Sequence, residues 1–283
     1  MTILPDRLAN TCRDNPERAA WLERLPKTIA EIVAQWSLSI GPPYEQASCA
    51  WVAPATRKDG ARVVLKLGMP HMEGRDEIRG LQLWAGDPTV RLLDSDSDLN
   101  ALLLERCEPG TTLRELAEAE QDVVLAGLLH RLWRRPPARH AFRPLSLMIA
   151  AWMEETLSAR AKWRDEDLVR AGLRTFETLK DTADDDVLLA TDLHAGNVLR
   201  ATREPWLVID PKPFVGDRAY DATQHIFNCK ARVLAAPRAT IQCLADLLHV
   251  DSERVRLWTF ARSAAEPRET WTDDSHAIAR ALV

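Results

Sequence analysis

The sequence lacks the patterns that mark secreted and membrane-spanning proteins. Its five cysteines form no CxxC pair, and an odd number scattered through apolar segments indicates reduced core thiols rather than a disulfide framework. No apolar run approaches the ~18–20 residues of a membrane-spanning helix. Charge and proline also interrupt the N-terminal stretch before a secretory apolar segment could form. We therefore expect a cytoplasmic protein with no membrane partner.

An excess of positive charge is also missing. The chain has 37 lysines and arginines against 42 acidic residues, which gives a formal net charge of −5. Proteins that coat nucleic acid usually present a basic face. The charge balance therefore argues against a nucleic-acid partner, and it permits a cationic small molecule as a ligand.

The first part of the chain combines helical and strand-like patterns. Residues 16–36 have helical spacing, and Pro26 is expected to break them into two helices. Short β-branched runs on either side of "TRKDG" predict a β-hairpin, because Asp-Gly is a strong turn signal. A helical stretch at 72–84 and two further strands complete a small α/β lobe with the N-terminal helices, predicted to span residues 1–106.

The second part of the chain is mainly helical. Thr112 and Glu115 form a capping-box pattern, from which a helical stretch is expected to run towards Trp133. The exception is residues 187–210, where "VLLA", "NVLRA" and "WLVID" are strand-like and a short turn joins the last two. Because 283 residues are more than one ordinary core supports, we predict a separate helical lobe over residues 107–283.

A polar cluster lies among these strands. In "LLATDLHAGNVLR", Asp192 and Asn197 are separated by four residues, and Asp210 ends the next strand. Two strands joined by a tight turn bring Asn197 and Asp210 together, and their oxygens are the hard ligands that Mg²⁺ takes when phosphates complete its coordination. Asp192 could then accept the proton of a hydroxyl that attacks the phosphate. The alternative is that these side chains only cap the loop and form Asx turns.

A pair of charged residues lies upstream. Lys66 stands in the apolar strand "RVVLKLG", where an ammonium group needs a partner, and Glu77 on the following helix can supply it. A strand lysine, a helix glutamate, a D-x-x-x-x-N loop and a strand ending in Asp follow one another in the order typical of kinase-like phosphoryl transfer. A purely structural ion pair is the alternative for Lys66 and Glu77.

These motifs point to a known family. The sequence resembles the aminoglycoside and hydroxyurea phosphotransferases, specifically the branch that contains the streptomycin 6-kinases, over about residues 47–265. The matching stretches are "DGARVVLKLG", "DEIRGLQLW", "TVRLL", "LLLERCEPGTTL", "DLHAGNVL" and "WLVIDPKPFVGDRAYD". The resemblance implies an α+β, two-lobed protein-kinase-like fold, with a small antiparallel-sheet lobe that carries one helix and a larger, mainly helical lobe.

The resemblance also implies an activity and its residues. The chain would be an antibiotic-resistance kinase that transfers phosphate from ATP, with Mg²⁺, to a hydroxyl of a small molecule such as streptomycin or hydroxyurea. Lys66 would orient the α- and β-phosphates of ATP, and Glu77 would hold Lys66. Asp192 would be the catalytic base, and Asn197 and Asp210 would bind Mg²⁺.

Further assignments concern the backbone and the loop. The resemblance implies that Glu105-Arg106-Cys107 is the hinge whose backbone groups receive the edge of adenine. Asp221 is expected to brace the catalytic loop rather than to touch substrate. His194 is expected to hydrogen-bond the loop backbone, and reaching the metal or the acceptor hydroxyl is the alternative.

Two departures from the family pattern leave alternatives open. Ala190 and Thr191 precede Asp192 where many relatives have His-Gly, which puts the bracing of this loop in doubt. No G-x-G-x-x-G lies between the first two strands. A nucleotide-binding scaffold without turnover is therefore one alternative, and a kinase of an unrelated metabolite is another. A protein kinase is disfavoured because no segment of activation-loop length follows Asp210. The sequence leaves the oligomeric state open.

Overall fold

A computed structural model describes residues 4–13, 15–183, 185–268 and 272–283 of the chain. Its helices and strands, in chain order, are α1 (Asp6–Cys12), α2 (Pro16–Gln35), β1 (Ser39–Ile40), β2 (Ala50–Thr56), β3 (Arg62–Gly68), α3 (Glu77–Trp84), β4 (Leu92–Asp96), β5 (Ala101–Glu105), α4 (Glu118–Leu132), α5 (Leu145–Ser158), α6 (Glu166–Leu179), β6 (Val187–Leu189), β7 (Val198–Arg200), β8 (Trp206–Val208), β9 (Phe214–Gly216), α7 (Arg218–Asn228), α8 (Lys230–Ala235), α9 (Pro237–Leu248), α10 (Ser252–Ala265) and α11 (Asp273–Leu282). Within the described ranges, we find no helix that combines the length and the apolar character needed to cross a membrane.

The chain divides into two compact units. The first comprises the residues up to Thr111 together with Leu199–Ile209, and the second comprises Thr112–Val198 and Asp210–Val283. The division expected from the sequence, 1–106 and 107–283, differs at residues 107–111 and at the strand pair β7–β8. This pair belongs to the first unit because Leu207 packs into one of that unit's apolar clusters. A three-residue strand within mainly helical sequence does not indicate that the chain returns to the first unit at this point.

The first unit contains an antiparallel sheet in the order β1-β2-β3-β5-β4. The predicted hairpin is confirmed, since β2 pairs with β3 from Ala50 opposite Gly68 to Thr56 opposite Arg62. Its turn contains Gly60 at a φ of 84°, a left-handed conformation that glycine adopts without steric cost. The two further strands pair as neighbours, as β4 and β5, but β4 starts later than the predicted run at 89–93 and includes residues expected in the turn "DSDSD".

Strand alternation gives this sheet two apolar faces. Odd-numbered side chains such as Leu65 and Leu103 pack with residues of α1 and α2, including Leu25 and Ile32, in one buried cluster. Even-numbered side chains such as Leu102 join a second cluster with Ile78 and Leu81 of α3 and with Leu207. The sheet is therefore covered on both faces, and α3 lies on the even-numbered one.

Pro26 does not break the N-terminal helix, which corrects the expectation of two helices. α2 runs continuously from Pro16 to Gln35 with Pro26 inside it. An interior proline costs about 3 kcal/mol. Burial of a leucine or isoleucine side chain contributes roughly 1.5–3 kcal/mol, and the buried side chains Leu25, Ile29 and Ile32 flank the proline on one helix face. Burial therefore outweighs the lost backbone hydrogen bond.

The capping box expected at Thr112 also does not form. The Thr112 side chain makes no capping hydrogen bond, and only a short 3₁₀ turn follows it. α4 begins at Glu118, where the Glu120 carboxylate accepts a hydrogen bond from the Ala117 amide at 3.3 Å. The Thr-x-x-Glu pattern therefore lies close to the start of α4, but the helix begins six residues after Thr112.

The second unit is organised around α10. This helix packs against α5, α6, α7, α9 and α11, and its residues from Trp258 to Ala265 are buried. Strand β6 pairs antiparallel with β9, with Leu188 opposite Val215. The sequence did not predict β9, because three residues between a proline and a helix give no alternation to detect. The pairing brings the loop after β6 beside the segment that leads into β9.

We predict that the close approach of α6 and α10 depends on Gly172. A Cβ atom at this position would lie 2.7 Å from the Cβ of Ala264 and 2.9 Å from that of Ala265. Gly172→Ala is expected to lower the free energy of unfolding by about 1–3 kcal/mol through overpacking. Denaturant unfolding provides the measurement.

The matched control is Gly127 in α4, where an added Cβ meets nothing within 4 Å. Gly127→Ala is expected to raise the free energy of unfolding by up to about 1 kcal/mol, because alanine has the higher helix propensity. Equal effects of the two substitutions would contradict the packing argument.

Candidate active site

Lys66 and Glu77 form a buried ion pair in the first unit. Lys66 lies in the middle of β3 on the even-numbered face of the sheet, opposite Leu102 in the pairing with β5. Its Nζ lies 2.6 Å from each carboxylate oxygen of Glu77 at the start of α3. The two side chains are only 8% and 5% exposed. The pairing predicted from the sequence is thus present, and it holds an ammonium group at a fixed position.

The segment predicted as the hinge begins at Glu105, the last residue of β5. The Glu105 carboxylate accepts hydrogen bonds from Arg203 Nε at 3.0 Å, from Arg203 Nη2 at 2.9 Å and from the Arg91 amide at 3.0 Å. Burial alone would raise the pKa of Glu105, but these bonds and the arginine charges lower it. The carboxylate of Glu105 is therefore fully engaged in hydrogen bonds within the first unit.

Cys107 is buried, and burial together with the Glu105 charge raises the pKa of its thiol to about 12. The thiol is therefore neutral and unreactive. In the part of the chain that the structure describes, neither the amide nor the carbonyl of Cys107 is hydrogen-bonded to another backbone group. Such groups are suited to pair with the edge of a planar heterocycle.

Asp192 and Asn197 are joined across the loop that follows β6. The Asn197 Nδ2 group donates to the backbone carbonyl of Asp192 at 3.0 Å. Because a carbonyl only accepts hydrogen bonds, the orientation of this amide is defined, and the Asn197 Oδ1 atom faces the other way. Oδ1 is thereby presented as a potential metal ligand.

Asp210 lies in the same part of the second unit as Asp192. It adopts a φ of 53°, a strained conformation for a non-glycine residue and one that often marks a functional position. Its carboxylate pairs with Lys212 Nζ. Burial raises the pKa of Asp192 to about 6, with the Lys212 charge lowering it and the Asp210 charge raising it. The two carboxylates are therefore close enough to interact.

This set of donors fits Mg²⁺. Asn197 Oδ1 and the Asp210 carboxylate are hard oxygen ligands of the type that this ion takes together with phosphate oxygens. The Asp210 carboxylate already has a cation, Lys212, as its partner. The Lys212 ammonium group would share this carboxylate with the ion.

Asp221 braces the loop, as the family resemblance implies. This buried carboxylate on α7 accepts hydrogen bonds from the Trp133 indole at 2.9 Å, from the Ala190 amide at 3.0 Å and from the Thr191 amide at 2.7 Å. The Thr191 hydroxyl donates to the carbonyl of Lys212 at 2.6 Å. The Ala190-Thr191 departure from the family pattern therefore leaves the loop well anchored.

His194 stiffens the same loop. Its Nδ1 atom accepts a hydrogen bond from the Gly196 amide at 3.0 Å, which confirms the expected backbone contact. Burial and the nearby charge of Arg114 lower the pKa of His194 to about 4. The imidazole is therefore neutral at physiological pH.

Comparison with known proteins identifies the family. Residues 36–274 match the family described as aminoglycoside/hydroxyurea antibiotic resistance kinase. The chain belongs to this family. The streptomycin 6-kinase of Streptomyces griseus is 36% identical to it over 271 residues, which cover 92% of this chain and 88% of that protein. The hydroxyurea phosphotransferase of Kitasatospora aureofaciens is 34% identical over 248 residues, covering 86% and 72%. The chain is thus a small-molecule kinase that acts on a hydroxyl group.

Solved structures confirm the predicted α+β, protein-kinase-like fold of this resistance kinase. The choline kinase of Cryptosporidium parvum Iowa II superposes with a TM-score of 0.59 at 12% identity, covering 91% of this chain and 94% of that one. A choline kinase of Streptococcus pneumoniae gives 0.60 at 13% identity, covering 90% and 96%. An aminoglycoside-3'-phosphotransferase of type VIII gives 0.51 at 18% identity, covering 91% and 97%.

Sequence reasoning about the kinase missed two residues beside Asp192. Lys212 stands in the quoted motif "WLVIDPKPF" but received no role, although its ammonium group pairs with Asp210. Gln224 donates from Nε2 to the Asp192 Oδ1 atom at 2.8 Å. Helical spacing could have indicated it, because Gln224 lies three residues after Asp221 and so shares its side of α7.

A second cluster of titratable groups in the kinase consists of Asp122, His225 and Cys229, all buried. Asp122 Oδ1 lies 2.7 Å from His225 Nε2, and both Asp122 oxygens accept hydrogen bonds from Arg232, at 2.7 and 2.9 Å. Burial raises the pKa of the Cys229 thiol to about 12. With a guanidinium on its carboxylate and a neutral thiol, this cluster is a structural network that is poorly suited to a metal ion.

Proposed function

We propose that this resistance kinase transfers the γ-phosphoryl group of ATP to a hydroxyl of a streptomycin-like aminoglycoside, in a Mg²⁺-dependent reaction. The observation that carries the proposal is the grouping of Asp192, Asn197 and Asp210, all partly exposed, in one part of the second unit. The similarity to streptomycin 6-kinases, at 36% and 34% identity, favours streptomycin over hydroxyurea as the first acceptor to test.

In the proposed reaction, Asp192 takes up the proton of the acceptor hydroxyl. The hydroxyl oxygen forms a bond to the γ-phosphorus, the bond from that phosphorus to the bridging oxygen breaks, and ADP leaves. Asn197 and Asp210 would hold Mg²⁺, which neutralises charge on the phosphates when bound. Positioning of the reactants and electrostatic stabilisation of the transition state supply most of the rate enhancement in such transfers.

The first unit would hold the nucleotide. Lys66 is proposed to bind the α- and β-phosphates, and Glu77 keeps the ammonium group in place through the buried pair. The backbone of Glu105 and Cys107 is proposed to pair with adenine. Two observations support this assignment. The Glu105 side chain is already hydrogen-bonded, and the Cys107 amide and carbonyl have no backbone partner among the described residues.

We predict that Lys66→Met lowers kcat/KM for ATP by about 10²–10³-fold, the effect of removing one electrostatic contact to developing charge. Steady-state ADP release provides the measurement. Lys58→Met is the matched control, since this exposed lysine lies at the turn of the same hairpin. Wild-type kcat/KM in Lys66→Met would contradict the assignment.

Loss of Lys66 also leaves the Glu77 charge buried without a partner, which costs about 3–5 kcal/mol of stability. The double variant Lys66→Met, Glu77→Leu removes both charges and is expected to recover stability without recovering activity. Recovery of activity in the double variant would show that Lys66 acts only through folding.

The proposed function is tested by an acceptor panel. The purified chain is incubated with ATP and Mg²⁺, and ADP release is measured with streptomycin, with hydroxyurea and without acceptor. We expect the largest acceptor-dependent rate with streptomycin. ATP binding without acceptor-dependent release from either compound would favour the scaffold or a kinase of an unrelated metabolite.

A further inference from the structure

The Asp192 carboxylate is connected through one side chain, that of Gln224, to a buried arginine. Gln224 on α7 donates from Nε2 to Asp192 Oδ1 at 2.8 Å, and its Oε1 atom accepts from Arg262 Nη2 on α10 at 2.9 Å. Amide groups often admit two orientations that differ by a flip. Here only one fits, because guanidinium groups only donate and an ionised carboxylate only accepts hydrogen bonds.

Arg262 is itself held from several directions. Its side chain is 5% exposed, and it donates to the Thr223 hydroxyl at 2.6 Å and to Glu266 Oε2 at 2.8 Å. The guanidinium also lies over three aromatic rings, at 5.6 Å from the centre of Trp152, 5.0 Å from Tyr220 and 5.0 Å from Phe227. A guanidinium with this many contacts cannot turn away from Gln224 without losing most of them.

We propose that Gln224 is a positioning residue for the phosphoryl transfer, which fixes the rotation of the Asp192 carboxylate, and that Arg262 fixes the orientation of Gln224. The proposal rests on the role of Asp192 as the base in the proposed function. With Oδ1 occupied by Gln224, Oδ2 is the oxygen left to receive the proton of the acceptor hydroxyl.

The consequence for catalysis follows from geometry. Without the hydrogen bond from Gln224, the Asp192 carboxylate would rotate about its terminal torsion, which has a broad energy profile. Misplacement of a reacting group by about 1 Å can cost about 10²-fold in rate. A fixed Gln224 therefore raises the fraction of time in which the base is correctly oriented.

The alternative is that Gln224 merely provides a partner for Arg262. Gln224→Glu separates the two roles. A glutamate keeps the contact to Arg262 and strengthens it with a charge, but it replaces the donor that faces Asp192 with an acceptor. A structural role would survive this change, whereas a positioning role would be lost.

The kinetic test uses ATP with streptomycin as the acceptor. Gln224→Glu and Gln224→Leu are both expected to lower kcat by about 10–10²-fold while KM for ATP changes little. The matched control is Gln242→Leu, because the exposed Gln242 donates to Asp246 Oδ1 at 2.7 Å in the same kind of pair on α9. Wild-type kcat in Gln224→Glu, with the loss confined to Gln224→Leu, would overturn the proposal.

The hydrogen bond between Gln224 and Asp192 can also be tested by NMR, which does not depend on streptomycin being a good acceptor. The side-chain amide signals of Gln224 in a ¹H–¹⁵N spectrum, identified by their absence in Gln224→Leu, are expected to shift in Asp192→Asn and to stay unchanged in Asp246→Asn. Unshifted Gln224 signals in Asp192→Asn would overturn the contact on which the proposal depends.

Combining Gln224→Leu with Asp192→Asn distinguishes a failure of this proposal from a failure of the proposed function. In Asp192→Asn, the further change Gln224→Leu is expected to have no additional effect on residual turnover, because the two residues act as a unit. Full activity of Asp192→Asn would refute the role of Asp192 itself. An inactive Asp192→Asn together with fully active Gln224 variants would refute only the positioning role.

Discussion

Replacing Asp192 with asparagine is expected to lower kcat for acceptor phosphorylation by about 10²–10⁴-fold, the usual contribution of a general base. Asparagine has the shape of aspartate, and its amide oxygen can still accept the hydrogen bond from Gln224. It has no basic oxygen to take up the hydroxyl proton. The expected loss is therefore one of chemistry rather than of folding.

Two measurements check this result together. ADP release in the presence of acceptor should fall, and ATP affinity measured by calorimetry should change by no more than a few-fold. Asp246→Asn is the control, because this exposed aspartate also accepts a hydrogen bond from a glutamine, Gln242. Unchanged kcat in Asp192→Asn would rule out this residue as the base.

The second large effect is expected at Asp221. In Asp221→Ala the Trp133 indole and the amides of Ala190 and Thr191 lose their acceptor in a buried setting. Each buried donor left without an acceptor costs roughly 1–3 kcal/mol. We therefore expect the free energy of unfolding to fall by at least about 3 kcal/mol. Activity should fall as well, because Thr191 directly precedes Asp192.

Asp221→Asn provides a finer test of the same contacts. Both carboxylate oxygens of Asp221 accept hydrogen bonds, so the amide group of asparagine must face at least one N–H donor. The variant should be destabilised although its size is unchanged. Chemical denaturation measures the effect, with Asp251→Ala as the control. Asp251 is an exposed helix N-cap, and its loss should cost only about 1 kcal/mol. A smaller effect at Asp221 than at Asp251 would contradict the bracing role.

Features that depend on local sequence patterns could be predicted from the sequence. The pairing of Lys66 with Glu77 was predicted because an ammonium group in an apolar strand needs a partner and the following helix offers a carboxylate. The β2–β3 hairpin follows from the Asp-Gly turn. The bracing role of Asp221 was expected from the family resemblance, and the three hydrogen bonds confirm the contact.

Other features depend on contacts distant in sequence. Pro26 remains inside α2 because burial on the sheet outweighs its local preference, and a local rule cannot weigh that burial. Strand β9 exists through its pairing with β6, and a run of three residues is too short to show a strand pattern in the sequence. The link from Arg262 to Gln224 joins α10 to α7 across 38 positions. No spacing in a single sequence reveals such a pair.

The central claim is that the γ-phosphoryl group of ATP is transferred to a small-molecule hydroxyl with Asp192 as the base. Mass spectrometry of streptomycin after incubation with the chain, ATP and Mg²⁺ tests it most directly. We predict one added phosphoryl group per acceptor with the wild-type chain and almost none with Asp192→Asn in the same time. Unmodified streptomycin while ATP is consumed, or equal phosphorylation by the two proteins, would contradict the account.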